Sequence, residues 1–308
     1  MKVLFMGTPD FALESLKAIY EAGFDIRGVY TQPDKPARRG MKLTASPVKE
    51  YALEKGLPVY QPEKLRNSPE VLEEFKAIGA DVAVVVAYGK LIPEDMLQCA
   101  PLGFINIHGS LLPKYRGSAP IQWTVLNGEE LGGVTAMYLA PEMDAGDIID
   151  MASTPVGEYE TYGELYDRLK VIGAELLVKT LRAIEDGSAA RTPQDPARVS
   201  FAPPLHREDC PIDWTKPARQ VINHIRGLAP KPTATAELGG ETFKIYAAVM
   251  AQEPTELSPG RIVGQSKQGL IVACGDGRAV VITELQAPGG KRMRTADYLR
   301  GHKIIDDQ

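Results

Sequence analysis

The sequence predicts an α/β protein: a mostly parallel sheet with helices on both faces, followed by a smaller β-barrel domain. Three observations support this prediction. Apolar, strand-like runs alternate with helical patterns through roughly the first 190 residues, which is typical of a doubly wound, Rossmann-like domain. A run rich in Pro, Ala and Ser, without periodicity, follows. Beyond it, short β-prone runs are separated by close turns, which is typical of a small barrel of the oligonucleotide-binding (OB) type.

The elements of the first part follow from the spacing of its apolar residues. Short apolar runs predict strands at 2–6, 26–31, 81–89, 103–108 and 134–139. Apolar residues three and four apart predict helices at 11–22, 47–55, 69–78 and 161–186. The run "DVAVVVAYG" at 81–89 shows little alternation, so we expect a central strand that is covered on both faces.

The second part of the sequence has a different pattern of apolar residues. A helical pattern at 217–227 precedes β-prone runs near 233–237, 243–250, 261–263, 270–273 and 279–284. Asp276 and Gly277 predict a hairpin turn between the last two of these runs. We therefore expect an α/β domain at 1–187, a linker at 188–205 and an OB-like domain at 206–308.

Composition narrows the class of protein. The chain has 308 residues and a net charge of −5, so it has no general attraction for nucleic acid or membrane and would need a local basic patch to bind a polyanion. Its 3 cysteines are far apart, which argues against a disulfide framework. No apolar run reaches the ~18 residues of a membrane span. The apolar start is broken at Gly7, as expected for a first strand, and these features together predict a cytoplasmic protein.

The first strand-to-helix turn, "GTPDFA" at 7–12, lacks two common phosphate-binding patterns. It has neither the G-x-G-x-x-G of a dinucleotide site nor the G-x-x-x-x-G-K-[ST] of a phosphate loop. Dehydrogenase and NTPase functions therefore lose their main support.

Polar residues collect at the end of one predicted strand. Asn106 and His108 are two residues apart, so their side chains leave the same face. Both lie at the C-terminal end of the strand, where ligands bind in an open α/β sheet. The next predicted strand runs into the loop "LAPEMDAGDI", which carries Asp144 and Asp147. If the two strands are neighbours, one of these carboxylates can approach the imidazole.

These residue types suit acyl transfer to an amine. Asn supplies an N–H donor, protonated His supplies a charged donor, and Asp favours the imidazolium, so together they can stabilise a developing oxyanion. Ser110 lacks the G-x-S-x-G context of a nucleophile, so direct attack by a bound amine is the simpler chemistry. Alternatively, Asn106 and His108 only satisfy buried backbone groups; their spacing fits both interpretations. The 4 histidines are scattered and no Cys pairs with them at ligand spacing, so we expect no metal.

The stretch "NIHGSLLPKYRGSAPIQW" at 106–123, with "DAGDI" at 144–148, resembles the signature of the formyltransferases that use 10-formyltetrahydrofolate. The resemblance implies that this folate is the formyl donor and that the catalytic residues are Asn106, His108 and Asp144. It also implies that the folate is contacted by Ser110, Leu111, Leu112 and Pro113, and that its pteridine pocket is walled in part by Tyr88 and Gly89.

The segment "TQPDKPARRGMKLTASPVK" at 31–49 is basic. It carries Lys35, Arg38, Arg39, Lys42 and Lys49 against Asp34, and it leaves the end of a predicted strand, at the edge that also carries His108. Such a loop can hold the phosphates of a nucleic-acid end near the reaction. On charge alone, a solvated loop is the alternative.

This segment, with "GTPDFA", "VVVAYG", "IDW" and "LQAPGGKRM", resembles the branch of the same family that acts on initiator methionyl-tRNA. The resemblance covers nearly the whole chain. It implies formyl transfer to the α-amino group of the methionine for translation initiation, an OB-like domain that binds the tRNA body, and no obligate protein partner. It also implies that the acceptor end of the tRNA is held by Lys35, Arg38, Arg39 and Lys42, with Arg39 as the key contact. Two other hypotheses stay open: a sugar-nucleotide N-formyltransferase on the same catalytic module, and an RNA-binding protein with an inactive site.

Overall fold

The computed structural model describes residues 1–37 and 42–305. They form two compact units, each built from several stretches of the chain. The first unit comprises Met1–Gly117, Gly133–Ser153 and Tyr166–Phe201. The second comprises Ser118–Gly132, Thr154–Leu165 and the chain from Ala202 onward. The domain boundaries expected at 187 and 206 stay a prediction.

The first unit is organised around a seven-stranded sheet. The strands up to residue 202 are, in chain order, β1 (Lys2–Gly7), β2 (Asp25–Tyr30), β3 (Lys35–Ala37), β4 (Lys42–Thr44), β5 (Val59–Tyr60), β6 (Val82–Val86), β7 (Phe104–His108), β8 (Arg116–Gly117), β9 (Leu131–Tyr138), β10 (Ile148–Pro155) and β11 (Phe201–Ala202). The large sheet has the order β10-β9-β7-β6-β1-β2-β5. Pairing is parallel from β5 to β7 and antiparallel between β7 and β9, so the predicted mostly parallel sheet is confirmed.

Helices cover both faces of this sheet. In chain order, the helices of this unit are α1 (Asp10–Glu21), α2 (Pro47–Glu54), α3 (Pro69–Ile78), α4 (Glu94–Leu97) and most of α6 (Tyr162–Glu185). The helix α5 (Pro120–Leu126), which precedes α6 in the chain, belongs to the second unit. On one face, Met6 of β1 belongs to a buried cluster with Phe75 of α3. On the other, the ring of Phe11 in α1 meets Tyr166 in α6 with centroids 5.3 Å apart. Side chains alternate between faces along each strand, so β1 and β7 pack against the helices on both faces of the sheet.

The register of the central strands brings their C-terminal ends to one edge of the sheet, here called the strand-end edge. Every residue of β6 is buried, as expected for a central strand covered on both faces. Gly7 pairs with Val86, and Val85 pairs with Asn106. The turns after β1, β6 and β7 therefore meet at this edge, where an open α/β sheet binds its ligands.

The second unit carries a helix packed on an antiparallel sheet. Its strands are β12 (Ala234–Leu238), β13 (Glu241–Met250), β14 (Ile262–Gln265), β15 (Leu270–Ala273), β16 (Ala279–Gln286) and β17 (Met293–Arg294), and its C-terminal helices are α7 (Ala218–Leu228) and α8 (Thr295–Tyr298). The sheet order is β12-β13-β16-β15-β14, with β17 beside β16. Register shifts in β13 and β14 mark bulges, which bend the sheet into a curled half-barrel. The predicted small C-terminal β domain is confirmed.

The core of the second unit explains why α7 lies on this sheet. Val221, Ile222 and Ile225 of α7 are buried in one apolar cluster with Phe243 and Ile245 of β13. The predicted hairpin also forms, with the amide of Cys274 donating to the carbonyl of Arg278 at 2.8 Å. Among the helices of residues 1–37 and 42–305, a candidate membrane-spanning segment is not found.

Candidate active site

His108 ends β7 at the strand-end edge and is 5% exposed. Its Nε2 lies 2.9 Å from the carbonyl oxygen of Tyr115. Its Nδ1 lies 3.6 Å from Oδ2 of Asp144, which is the distance of an ion pair rather than of a hydrogen bond. A neutral imidazole has one N–H, whereas both nitrogens donate in the imidazolium. The ring nitrogens therefore face a carbonyl on one side and a carboxylate on the other, and these two groups flank the ring.

Asp144 reaches His108 from the loop between β9 and β10. Its backbone is left-handed, with φ of 51°, a conformation that Asp tolerates better than most residues. Its Oδ2 accepts a hydrogen bond from the amide of Gly117 at 2.8 Å. The carboxylate is therefore held by the loop that follows His108, although it belongs to a different part of the chain.

The sequence named two acidic candidates in this loop, and the structure separates them. Asp144 lies beside the imidazole, whereas Asp147 faces the guanidinium of Arg191 at 4.0 Å. Gly146 between them is buried against the backbone, where an added Cβ would collide with the carbonyl oxygen of Tyr138. This close approach requires glycine and shapes the path that presents Asp144.

Asn106 lies on the same face of β7 as His108, one pleat earlier. It pairs with Val85 of β6 and with Met137 of β9, so its position in the sheet is fixed from both sides. The residue is partly exposed, and within the described residues its side chain has no hydrogen-bond partner. The amide N–H groups are therefore available to a ligand at the strand-end edge. The structure thus brings together the three residues proposed as catalytic.

The loop after β7, predicted to contact folate, is tied to β9 by one hydroxyl. Thr135, which is opposite His108 in the β7–β9 register, donates to the carbonyl of Ser110 at 2.6 Å and accepts from the amide of Leu112 at 3.1 Å. The hydroxyl of Ser110 donates to the carbonyl of Lys114 at 2.6 Å. Thr135 is fully buried, so these bonds are shielded from water.

Leu111 and Pro113 complete this loop. Leu111 occupies space that a side chain at Gly133 would fill, which explains glycine at that place in β9. The peptide bond between Leu112 and Pro113 is cis. Contact of Ser110, Leu111, Leu112 and Pro113 with folate stays a prediction.

The Tyr88–Gly89 turn after β6 is fixed by its main chain. The carbonyl of Tyr88 accepts from Oγ1 of Thr8 at 3.2 Å and from Nε2 of Gln32 at 3.1 Å, and the carbonyl of Gly89 accepts from the same Gln32 nitrogen at 3.0 Å. The Tyr88 ring is buried in the apolar cluster under the sheet, and burial raises the pKa of its hydroxyl to about 12. The backbone of this turn therefore faces the strand-end edge, while the ring packs in the core. A role in the folate pocket stays a prediction.

Within the basic segment 31–49, the described residues include the antiparallel strands β3 and β4, with Lys35 paired to Thr44 in register. Lys35 is exposed, as a phosphate-binding residue must be. Lys42 lies in β4, and Arg38 and Arg39 lie outside the described residues. Their predicted contacts with tRNA stay predictions.

The base of this segment is clamped by polar contacts. Nζ of Lys49 lies 2.7 Å from Oδ2 of Asp34, and Nε2 of Gln61 donates to the other carboxylate oxygen at 2.8 Å. The hydrogen bonds from Lys49 and Gln61 hold the pKa of Asp34 below its usual range. Lys49 is therefore engaged within the protein, in contrast to the exposed Lys35.

Sequence analysis missed two groups at this site. The Tyr115 carbonyl meets His108, and the Thr135 hydroxyl holds the 110–113 loop, but neither has a sequence signature. A backbone carbonyl looks the same in every residue, and Thr is common in strands. Across residues 1–37 and 42–305, no group of three His, Cys, Asp or Glu side chains is placed to bind a metal.

Fold and site together define a formyl transferase. The family model described as "Formyl transferase" matches residues 1–181, and "Formyl transferase, C-terminal domain" matches 204–303. Proteins named methionyl-tRNA formyltransferase are similar over nearly their full length. That of Ruminiclostridium cellulolyticum is 43% identical over 99% of this chain and 97% of its own. That of Symbiobacterium thermophilum is 46% identical over 98% of this chain and 92% of its own. The chain belongs to the methionyl-tRNA formyltransferase family.

Solved structures with a similar fold include two that contain folates. WlaRD, a sugar 3N-formyl transferase crystallised with dTDP and 5-N-formyl-THF, has a TM-score of 0.69 and 20% identity, over 94% of this chain and 99% of its own. HypX from Aquifex aeolicus, in complex with tetrahydrofolic acid, has a TM-score of 0.62 and 19% identity, over 100% of this chain and 48% of its own. At these identities the likeness shows the fold.

Proposed function

We propose that this protein transfers the formyl group of 10-formyltetrahydrofolate to the α-amino group of methionine esterified to initiator tRNA. The observation that carries the proposal is the cluster of Asn106, His108 and Asp144 at the strand-end edge, in a chain that belongs to this family. The reaction serves translation initiation, and its tRNA substrate implies action in the cytoplasm.

The three side chains have different roles in this reaction. The neutral amine adds to the formyl carbon, and negative charge develops on the formyl oxygen. Asn106, whose amide is without a partner among the described residues, offers an N–H to that oxygen. Both nitrogens of His108 already face protein acceptors, so the imidazolium acts on the oxyanion through its charge rather than through a free N–H. Asp144 stabilises that charge from the opposite side of the ring.

Proton movement completes the reaction. The attacking nitrogen must lose a proton, the bond between the formyl carbon and the folate nitrogen must break, and that nitrogen must gain a proton. Asp144 is the carboxylate closest to this chemistry, and its side chain is 13% exposed, so a water molecule can reach it. It is the group we expect to relay the proton.

Binding of the two substrates is assigned to different segments. Ser110, Leu111, Leu112 and Pro113, with the backbone of Tyr88 and Gly89, would contact the folate. Lys35, Arg38, Arg39 and Lys42 would hold phosphates at the acceptor end of the tRNA, a salt-sensitive contribution. The OB-like domain would bind the tRNA body.

The sugar-nucleotide alternative is less well supported. The relatives that act on methionyl-tRNA by name are 42–46% identical over nearly the full chain, whereas the sugar formyltransferase WlaRD is 20% identical. The basic 31–49 segment also suits a nucleic-acid acceptor, whose phosphates it could hold.

The test is formyl transfer in vitro. The protein is incubated with 10-formyltetrahydrofolate and with methionine-charged initiator tRNA, methionine-charged elongator tRNA or an amino-sugar nucleotide, and formylated products are measured. We expect formylmethionine on initiator tRNA from the wild type and very little from His108→Ala. Formylation of the sugar nucleotide alone would replace this function with the alternative, and tRNA binding without transfer would indicate an RNA-binding protein with an inactive site.

A further inference from the structure

Residues 192–200, here called the strap, lie between the two family models, which cover 1–181 and 204–303. This Pro-, Ala- and Ser-rich stretch was expected to belong to a linker. In the structure its first residue is bridged to β10: the amide of Ile148 donates to the carbonyl of Thr192 at 2.8 Å, and the amide of Thr192 donates back at 3.0 Å. From there the strap runs along the loops that carry the catalytic groups.

Gln194 of the strap is bonded on both sides of its amide. Its Nε2 donates to the carbonyls of Asp144 at 2.8 Å and Gly146 at 2.9 Å. Its Oε1 accepts from Nε and Nη2 of Arg116 at 3.1 and 2.9 Å. Arg116 is 7% exposed, and its remaining branch reaches Oε1 of Glu142 at 3.3 Å. Gln194 therefore joins the loop of Asp144 to the loop that follows His108.

Ser200 at the other end of the strap holds the second partner of His108. Its Oγ accepts from the amide of Tyr115 at 3.0 Å, and its carbonyl accepts from the amide of Arg116 at 2.9 Å. Tyr115 is left-handed, with φ of 64°, which a bulky residue adopts only when its surroundings enforce it. In that conformation the Tyr115 carbonyl meets Nε2 of His108.

We propose that Gln194 and Ser200 are positioning residues for formyl transfer, because each fixes one of the two groups that flank the His108 ring. Gln194 holds the backbone of Asp144, on the Nδ1 side, and Ser200 holds the backbone of Tyr115, on the Nε2 side. The proposal rests on the proposed function for its catalytic consequence, and on geometry alone for its effect on the ring. The strap is thus part of the framework that positions His108.

The physical reason is the sensitivity of an acyl-transfer site to small displacements. A shift of about 1 Å in a positioned group costs on the order of 10²-fold in rate. The Asp144 and Tyr115 backbones are both left-handed, so neither loop holds its shape by local preference. Contacts from outside each loop must therefore maintain it.

Gln194→Glu is the most selective substitution. It keeps an oxygen for Arg116 but replaces the Nε2 donor with a second oxygen, which is repelled by the carbonyls of Asp144 and Gly146. We expect kcat to fall about 10–100-fold, with the KM values for folate and tRNA nearly unchanged. Arg191→Gln is the matched control, because Arg191 lies nearby but contacts Asp147 and the Tyr138 ring.

Ser200 supplies an independent pair of variants. Ser200→Ala removes the acceptor for the Tyr115 amide and is expected to lower kcat, whereas Ser200→Thr keeps an oxygen at the same place and is expected to restore it. If Gln194→Glu does not fold, as judged by its thermal unfolding, this pair tests the strap by itself.

The decisive readout is the ¹⁵N spectrum of the His108 ring in histidine-labelled protein without substrates, assigned by its loss in His108→Gln. We expect Gln194→Glu to move the Nδ1 resonance, Ser200→Ala to move the Nε2 resonance, and Arg191→Gln to move neither. Unchanged ring resonances, or an unchanged kcat, in folded Gln194→Glu and Ser200→Ala would overturn the proposal. A wild-type protein that transfers no formyl group would instead refute the proposed function, and the ring resonances would still decide whether the strap positions His108.

Discussion

The amide of Gly117 donates to Oδ2 of Asp144 at 2.8 Å, and the same oxygen lies 3.6 Å from Nδ1 of His108. One carboxylate oxygen is therefore shared between the ring and the loop that follows the ring in the chain. The 109–117 loop therefore holds the Asp144 carboxylate as well as continuing the chain from β7. We expect changes on either side of the ring to alter the rate of catalysis.

Asn106→Ala removes the amide that we assign to the developing oxyanion. Loss of one such donor lowers the rate by ~10²–10³-fold, so we expect kcat to fall by that factor with a small change in KM. Steady-state kinetics with initiator methionyl-tRNA measures it. Asn106→Asp keeps the shape but offers no N–H, and it should be at least as damaging. An active Asn106→Asp variant would contradict the assigned role.

Asp144→Asn keeps an oxygen for the Gly117 amide but removes the negative charge beside His108. We expect kcat to fall on the order of 10²-fold, because the negative charge to which we assign support of the ring and relay of the proton is lost. Single-turnover formylation measures the effect on chemistry. Asp147→Asn is the control, since that carboxylate faces Arg191 instead of the ring. Equal losses in the two variants would show that the loop, rather than the Asp144 charge, matters.

Thr135→Val tests the link between β9 and the 110–113 loop. The change leaves the buried carbonyl of Ser110 and amide of Leu112 without the Thr135 hydroxyl, at a cost of about 1–3 kcal/mol in the free energy of unfolding. We also expect a higher KM for the folate. Urea unfolding and steady-state kinetics measure the two effects.

Thr180→Val is the matched control for this substitution. Thr180 is as deeply buried, but among the described residues its hydroxyl has no hydrogen-bond partner. Replacing it should leave stability unchanged or raised. Similar losses at both positions would show that shape, and not the two hydrogen bonds of Thr135, sets the stability.

Asp34→Asn tests the clamp at the base of the 31–49 segment. Without its charge, Lys49 is released and the hairpin of β3 and β4 loses a fixed base. We expect a several-fold higher KM for tRNA and an unchanged KM for the folate. Asp25→Asn is the control, because Asp25 pairs with Arg27 on an exposed part of β2. A tRNA KM equal to that of the wild type would show that the clamp does not contribute to tRNA binding.

His224 of α7 makes stability depend on pH. Burial lowers its pKa below the ordinary value of 6.5, against smaller opposing effects from the Cys210 carbonyl, Asp209 and Asp213. The unfolded chain therefore binds a proton at His224 more readily than the folded chain does. The contribution of neutral His224 to the free energy of unfolding is complete above pH 6.5, and it is lost as the pH falls toward the folded-state pKa.

Urea unfolding midpoints measured between pH 7.5 and 5.5 test this prediction. His224→Gln should flatten the decline at the acid end, whereas His302→Gln, at an exposed position, should not. An identical pH profile for wild type and His224→Gln would contradict it.

The parts of this architecture that follow from side-chain patterns could be predicted. β6 has five apolar residues in a row, and burial on both faces is the arrangement that such a strand permits. Asn106 and His108 share a face because a strand repeats every two residues. The neighbouring position of Asp144 required only that the following strand pair with β7.

The remaining parts depend on the backbone and on distant contacts. The Tyr115 carbonyl and the amide of Gly117 have no pattern that identifies them in a sequence. Gln194 stands in a stretch without periodicity, where its bonds to two loops far away in the chain cannot be read. Sequence patterns also do not reveal that α5 belongs to the second unit, because a compact unit can combine separate stretches of the chain.

The path of the strap bears on how short an active enzyme can be. A chain shortened to the residues of the first family model would keep Asn106, His108 and Asp144 but would lose Thr192, Gln194 and Ser200. We expect such a fragment to lack the framework that orients its own histidine. If so, the smallest active fragment would end beyond residue 200, outside the part of the chain that the first family model matches.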